Sequence, residues 1–446
     1  MNSLVLNNFR YIHFVGIGGI SMYLLAIYCK NCGLEVSGSD IKQNKYTNIC
    51  ESNGIKIYIG HKRKNINSAD LVVHTSAVNS LNVEIIEANN RRIKVIDRAE
   101  LLASICKNFK YVIGVGGTHG KTTTCAMIYH ILRESGKKVS CHIGADIEDA
   151  RLKPDDEYLV LECCEYNRSF LKLYYNVAVV LNIDNDHLDC YQNMYNLRNA
   201  FRTFLKRGKT RFVFDNLTTA CIKNKAIHIK PATILGANKF EYNGKKFVLD
   251  NVYGEHNIDN ATVAIGVCGE LGLSYTKIYK SLKTFKAAGR RCQMLGKIKN
   301  CEVITDYAHH PSEVACLYNS LKEKYDKVYI IFQPHTYSRT KFLLSDFVKV
   351  FDDIGNVAII KEYSAREDKS KGYSAKQLSE KLDNTVYIKN YKALKNFVIN
   401  TNFNQSNSCI AFVGAGDVNQ MGEKLVKQLG SDLSKKGIDN SSWWKN

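Results

Sequence analysis

Proline is nearly absent from this chain, with four in 446 residues. Element ends therefore rest on glycine, asparagine and aspartate, not on a ring-locked φ. Acidic residues are also short: 43 Asp+Glu face 62 Lys+Arg, for a net charge of +19. Such an excess favours anionic ligands, nucleotides included. The basic residues are nevertheless spread along the chain, with no arginine-rich tract and no aromatic-interleaved basic patch, so no nucleic acid is expected among its partners. No apolar run reaches the ~18 to 20 residues needed to cross a bilayer, and MNSLVLNNFR leads straight into a strand pattern without a signal-peptide h-region. A cytoplasmic protein with no membrane insertion is the expectation. Metal-spaced cysteine pairs are missing too. The 15 cysteines are scattered through apolar runs, and the one Cys-x-x-Cys, Cys29 to Cys32, falls inside a helical pattern. They read as reduced, mostly buried small hydrophobes.

What is present is the composition of a packed globular protein, 45% hydrophobic and 24% charged. At the usual domain size its length predicts about three domains. YIHFVGIGGISMYLLAIYCKNCGLEVSGSD reads as strand, glycine turn, amphipathic helix and second strand, a βαβ unit. β-rich runs continue to alternate with helical stretches, as a parallel sheet requires. The expected fold class is α/β in three domains. Residues 1–107 form an N-terminal Rossmann-like domain, 108–295 a central P-loop ATP-binding domain, and 296–446 a C-terminal Rossmann-like domain. Helices are expected from about Thr122 to Glu134 and from about Ser312 to Tyr325, and the polar tail SDLSKKGIDNSSWWKN is expected to fray.

The strongest local signal is Gly116-Gly117-Thr118-His119-Gly120-Lys121-Thr122-Thr123-Thr124, between a strand and a helix. Glycines let backbone N–H groups converge on phosphate oxygens, the lysine reaches the β/γ-phosphates, and the hydroxyl at the helix start holds Mg²⁺. It departs from the strict Walker pattern because Val115 stands where the first glycine belongs. Glu162, in LECCE, and His187, in NIDNDHLD, end later strands, where the ligand crevice of an open parallel sheet lies. A metal beside the phosphates is one reading of them; helix capping by Asp184, Asp186 and Asp189 beside a solvated His187 is the other. Gly16, Gly18, Gly19 and Ser21, with Asp40 some 20 residues on, approximate a dinucleotide fingerprint. That pattern suits a diphosphate on a helix N-terminus, or a tight turn with no ligand. DYAHHPSE and QPHTYSRT each follow a strand and carry histidines, facing a cleft or capping helices, with Ser312 the expected cap.

Taken in order, GIGGIS, GTHGKTTT, the glutamate at a strand end, DNDHLD, GEHNIDN, GRR, DYAHHPSE, FQPHTYSRT and GAGD resemble the Mur ligases over nearly the whole chain. These enzymes join a nucleotide-sugar carboxylate to an amine at the expense of ATP. The branch most similar implies UDP-N-acetylmuramate and L-alanine as substrates, ATP and Mg²⁺ as cofactors, an acyl-phosphate intermediate, a role in peptidoglycan precursor synthesis, and a monomer or homodimer. Carried over residue by residue, the resemblance implies a UDP-diphosphate site at Gly16, Gly18, Gly19 and Ser21, with Asp40 near the nucleotide. It implies an ATP site at Gly117, Thr118, His119, Gly120, Lys121, Thr122 and Thr123, and an adenine segment at His256, Asn257 and Asn260. Arg291 and Asp306 would close over the nucleotide. Thr122, Glu162 and His187 would bind metal. Tyr307, His309, His310, His335 and Arg339 would surround the muramate carboxylate and the alanine, with Lys121, His187, His310 and Arg339 catalytic. The chain departs from the family pattern at Glu162-Cys163-Cys164-Glu165-Tyr166-Asn167, where many members carry an acidic run, which leaves open whether Glu162 or Glu165 meets the metal. Thr336 stands where some members have arginine, and Cys292 where phenylalanine is usual. Two rivals remain. A ligase recycling a preformed peptide onto the same sugar shares the P-loop; a nicotinamide oxidoreductase would use Gly16 to Asp40 but leaves GTHGKTTT unexplained.

Overall fold

The computed structural model describes residues 6–430 except 148, 186, 187, 221, 223, 224, 237, 253, 288, 366, 384 and 402–406, and leaves aside the side chains of 7, 188 and 189. His187 and the polar tail lie outside the described residues. The chain forms two compact units, one of Met1–Thr233, Glu241–Phe247 and Asp259–Lys283, the other of Ile234–Phe240, Val248–Ile258 and Thr284–Asn446.

The first sheet uses β1 (Tyr11–Val15), β2 (Glu35–Asp40), β3 (Lys56–Ile59), β4 (Leu71–His74) and β5 (Lys94–Asp97) in the order 3-2-1-4-5. All its pairings are parallel. The strand order reverses beside β1, so the turn after β1 opens into the crevice where open α/β sheets bind ligands. The helix Met22–Asn31 that follows buries Met22, Leu24, Leu25, Ala26, Tyr28 and Cys29.

The second sheet is built from β6 (Tyr111–Gly116), β7 (Val139–His142), β8 (Tyr158–Glu162), β9 (Val177–Val180), β10 (Thr210–Phe214) and β11 (Ile227–Ile229), ordered 11-10-9-6-8-7. It too is parallel throughout. Its central strand β6 is buried but for its first residue, as a strand covered on both faces must be. The helix Met194–Arg207 lays Phe201 and Phe204 over the end of β6, where a Cβ on Gly116 would come within 3.2 Å of Phe204. Phe170 stacks on Phe204 with ring centroids 5.1 Å apart. These rings carry ~3 to 5 kcal/mol each by truncation and set a rigid floor under the loop that follows β6. One apolar core continues from the first sheet into the second, with Tyr28 against Phe109 at its seam. A small sheet, β12 (Thr233–Gly236), β13 (Lys239–Tyr242) and β14 (Lys245–Val248), follows.

The third large sheet holds β15 (Gln293–Ile298), β16 (Cys301–Asp306), β17 (Lys327–Phe332), β18 (Val357–Ile360), β19 (Val386–Ile388) and β20 (Ser408–Val413), ordered 15-16-20-17-18-19. It is parallel apart from the antiparallel hairpin β15–β16.

The α/β expectation holds in the three large sheets. The helix after the phosphate loop spans Lys121–Glu134, and the helix expected from Ser312 spans Pro311–Lys322. The antiparallel edge strand β15, opening at Gln293 and bulged between Met294 and Gly296, was not foreseen: QMLGKI carries a single β-branched residue and an internal glycine, so it lacks a strand's composition. Among the described residues most cysteines are buried, Cys125 and Cys163 completely. No helix among the described residues is long and apolar enough to cross a membrane.

Candidate active site

Three strand ends of the second sheet converge. β6 ends in the loop Gly117–Gly120, β8 ends at Glu162, and β9 runs out into Asn182 and Asp184. Gly120 caps the following helix at φ +79°, a left-handed conformation that only glycine takes without strain. A side chain there would also overlap the Asn260 amide. Gly120→Ala is therefore expected to reduce ATP turnover at least about tenfold while the rest of the sheet stays folded, measured as phosphate release beside near-UV circular dichroism. Unchanged turnover would show that this backbone geometry is not used.

Lys121 Nζ donates to the carbonyl oxygens of Gly117 at 2.5 Å and Thr118 at 3.0 Å, and to both oxygens of Glu165 at 3.2 and 2.9 Å. Burial works against its charge, but Glu165 and Glu162 more than offset this and push its pKa above the usual lysine value. The lysine is thus a committed cation. Thr122 Oγ1, nearly buried, donates to the Glu162 carboxylate at 3.0 and 3.1 Å, and Glu162 Oε2 also accepts the Gly144 amide at 2.9 Å. The two glutamates left open by the sequence are therefore separated: Glu162 faces the threonine hydroxyl, and Glu165 faces the lysine. A hydroxyl beside a carboxylate at a phosphate loop is the all-oxygen donor set that Mg²⁺ prefers.

The loop is pinned from the β9 side. Asn182 accepts the His119 amide at 2.8 Å through Oδ1 and donates to the His119 carbonyl at 3.1 Å, while its own carbonyl accepts the Thr118 amide at 3.2 Å. The His119 ring lies 3.0 Å from Asp184 Oδ2. Asn182 was visible only as a polar residue after a strand and Asp184 as a candidate helix cap; the pairing across sheet neighbours is what gives them this task. Thr123 is buried on the same helix. Asn260 is spent beneath the loop, its Oδ1 accepting from Thr124 Oγ1 at 3.1 Å. The contact holds its helix against Gly120 and Thr124. His256 and Asn257 belong to the second unit, where the Asn257 amide lies 3.0 Å from His256 Nε2.

In the first sheet, Gly16 turns at φ +82°, against Thr75. Its amide and that of Ile17 both donate to the Ser39 carbonyl. Asp40 ends β2, and its Oδ2 accepts the Gly18 amide of the turn at 2.8 Å, so it organises the loop. Gly19 closes the turn, donating to the Gly16 carbonyl at 3.3 Å. Ser21 Oγ accepts from Arg98 Nη1 at 2.8 Å and lies 2.6 Å from His142 Nε2, which ties the first sheet's helix to the end of β7. Burial, then Arg98, lowers the His142 pKa to about 3, so this imidazole stays neutral. Neither Arg98 nor His142 carried a sequence signal, since they lie far from Ser21 along the chain.

In the second unit, Asp306 at the end of β16 accepts the Cys292 and Ala308 amides, each at 2.7 Å. Burial pushes its carboxyl above the usual range, against Arg291 and those two amides. The Tyr307 ring lies under two guanidiniums, Arg290 at 4.8 Å and Arg291 at 5.3 Å. His310, not Ser312, caps the helix: its Nδ1 accepts the Ser312 amide at 3.4 Å, with Pro311 at the first helical position and Glu313 closing the box. Glu313 also accepts the His309 amide at 3.0 Å. His335 Nδ1 lies 3.2 Å from Arg339 Nη1, and its ring is 6.0 Å from that of His309 and stacked on Tyr363. Arg339 is always a donor, so His335 Nδ1 accepts. Tyr307, His309, His310, His335 and Arg339 thus share one rim of the third sheet.

Comparison with known proteins gives three matches in chain order. The Mur ligase family catalytic domain matches residues 11–110, the Mur ligase middle domain residues 115–268, and the Mur ligase glutamate ligase domain residues 290–416. The UDP-N-acetylmuramate–L-alanine ligase of Acetivibrio thermocellus is 38% identical, over 94% of this chain and 96% of its own. That of Aquifex aeolicus is 38% identical over 94% and 97%. The crystal structure of UDP-N-acetylmuramate-alanine ligase from Thermotoga maritima superposes with a TM-score of 0.79 at 27% identity, covering 94% of this chain and 99% of that one. A murein peptide ligase from Psychrobacter arcticus shares the fold, with a TM-score of 0.69 at 20% identity over 95% and 99%.

Proposed function

The chain belongs to the Mur ligase family, and on that premise we propose that it is an ATP-dependent ligase forming the amide between UDP-N-acetylmuramate and L-alanine, in peptidoglycan precursor synthesis. The observation that carries the reading is the phosphate loop with its buried Lys121 and the Thr122–Glu162 oxygen pair. Near-full-length likeness to L-alanine ligases supports this substrate choice over peptide recycling and over nicotinamide chemistry. A cytoplasmic enzyme is part of the same reading, as is a monomer or homodimer. So are three domains at 1–107, 108–295 and 296–446.

A free carboxylate is a poor acyl donor, so the γ-phosphoryl group is first transferred to the muramate carboxylate. Lys121, fixed as a cation, offsets charge on the transferring oxygens, and the amides of Gly117 to Thr123 orient the phosphates. Mg²⁺ held by Thr122 and Glu162 would supply further charge neutralisation when bound, with His187 serving a second metal. The Gly16 to Gly19 turn and Ser21 take the UDP diphosphate, with Asp40 shaping the turn. His256, Asn257, Arg291 and Asp306 serve the nucleotide. The uncharged alanine amine then attacks the acyl phosphate carbonyl, and the tetrahedral intermediate collapses to the amide as the C–O bond to phosphate breaks, the amine's proton leaving with the phosphate. With Nδ1 of His310 and of His335 both accepting, each ring carries its proton on Nε2. They and Arg339 thus act as donors that orient the amino acid and the carboxylate, beside Tyr307 and His309, and positioning carries the step.

The test is phosphate release with ATP, Mg²⁺ and UDP-N-acetylmuramate, with and without L-alanine. Release that requires both substrates supports the reading. Release that requires an Ala-Glu-containing tripeptide instead would transfer it to the recycling ligases, and no release with either would end it.

A further inference from the structure

Behind the glycine turn of the first sheet lies a polar cluster with no part in the chemistry above. Glu84, fully buried at the start of the helix Val83–Asn90, is its hub. Its Oε2 accepts the Ser39 hydroxyl at 2.5 Å and lies 3.0 Å from His61 Nδ1 and 3.7 Å from His13 Nε2. Its Oε1 accepts the Asn65 side-chain amide at 2.6 Å and the Lys62 amide at 3.2 Å. His13 Nδ1 is 2.7 Å from Ser37 Oγ, and His13, Ser37 and Ser39 are all fully buried on β1 and β2. Burial alone would raise the Glu84 pKa, but His13, Ser39 and Asn65 outweigh it and hold it down at about 2. The residue is an anion throughout the working range of an enzyme.

Stability alone is a weak reason to keep such a group, because a buried charge costs as much in desolvation as its partners return. What the cluster holds is the end of β2. The Ser39 carbonyl accepts both the Gly16 amide at 2.8 Å and the Ile17 amide at 3.0 Å. Asn65 also bonds the Gly60 carbonyl at 3.1 Å, and the Gly60 amide donates to the Asp40 carbonyl at 2.7 Å. Asp40 in turn takes the Gly18 amide. Two hydrogen-bonded routes therefore lead from one carboxylate to three successive amides of the turn.

We propose that Glu84 is a positioning residue for the nucleotide-sugar diphosphate: by fixing Ser39 and Asp40 it sets the turn at Gly16 to Gly18, and it does so without touching the ligand. The inference rests on the function proposed above. Glu84→Gln keeps the shape and removes the charge; Ser39→Ala cuts one route and leaves the carbonyl in place. The expected result is a KM for UDP-N-acetylmuramate raised about tenfold in Glu84→Gln and about threefold in Ser39→Ala, with kcat and the KM values for ATP and L-alanine within about twofold of the parent. The Kd for the nucleotide sugar, by calorimetry, should rise in parallel. Unchanged KM and Kd in both variants would overturn the proposal, as would an equal loss in kcat and all three KM values, which marks a purely structural role. If Glu84→Gln does not fold, Ser39→Ala decides by the same criteria. A parent protein that binds the sugar but does not turn it over would overturn the ligase reading, and the Kd ratios would still decide the part played by Glu84. A parent that does not bind it overturns both.

Discussion

Lys121→Ala is expected to lower substrate-dependent phosphate release by about 10³-fold, since it removes the one side-chain cation the phosphate loop itself supplies. A second effect should accompany it. Glu165 is 1% exposed and lies against Lys121 Nζ at 2.9 Å. Without the ammonium a buried carboxylate is left with its partner gone, which costs ~3 kcal/mol or more in folding stability. The double variant Lys121→Ala/Glu165→Gln separates the two effects. It should regain most of the lost melting temperature and none of the activity, because a neutral amide needs no counter-ion while the transferring phosphoryl group still does. Activity returning together with stability would mean that Lys121 serves the fold alone. Release from the single variant within about tenfold of the parent would mean that transfer occurs elsewhere.

Glu162→Gln is expected to raise the Mg²⁺ concentration needed for half-maximal phosphate release at least about tenfold and to lower the maximal rate by about 10². Gln can still accept from Thr122 and from the Gly144 amide, so the loop should keep its shape while one anionic ligand is lost. Glu165→Gln is the matched comparison. It sits on the lysine and not on the threonine, so its Mg²⁺ midpoint should stay within about twofold of the parent's. A reversed outcome, with Glu165→Gln moving the midpoint and Glu162→Gln leaving it, would reassign the metal to the other carboxylate. The titration also bears on the Cys163–Cys164 departure from the family pattern, because the intervening thiols carry neither an oxygen ligand nor a charge to the site.

Much of the architecture was legible because two parallel sheets write themselves as buried apolar runs alternating with amphipathic helices. β1, β6 and β9 are such runs. The phosphate loop was legible for a local reason: glycines, lysine and threonine must lie within a few residues of one another to wrap one ligand. Where contacts are not local, the sequence was silent. Asn260 lies 136 residues along the chain from Thr124, and Arg98 and His142 lie 77 and 121 residues from Ser21. That His310 caps its helix was not legible either, because Ser312 beside Pro311 is the more usual capping residue type.

The sequence by itself determined the fold class, the site of the phosphate loop and the family, since each is set by periodicity or by short contiguous motifs. The tertiary structure alone decided which glutamate faces Lys121 and which faces Thr122, that Asp40 and Asn260 brace loops, and that Glu84 gathers Ser39, His61 and Asn65 around one buried charge. The physical reason is that hydrogen bonds and desolvation act over a few ångströms in space. Strand order and helix packing, which carry no mark in any one segment, choose which residues come within that reach.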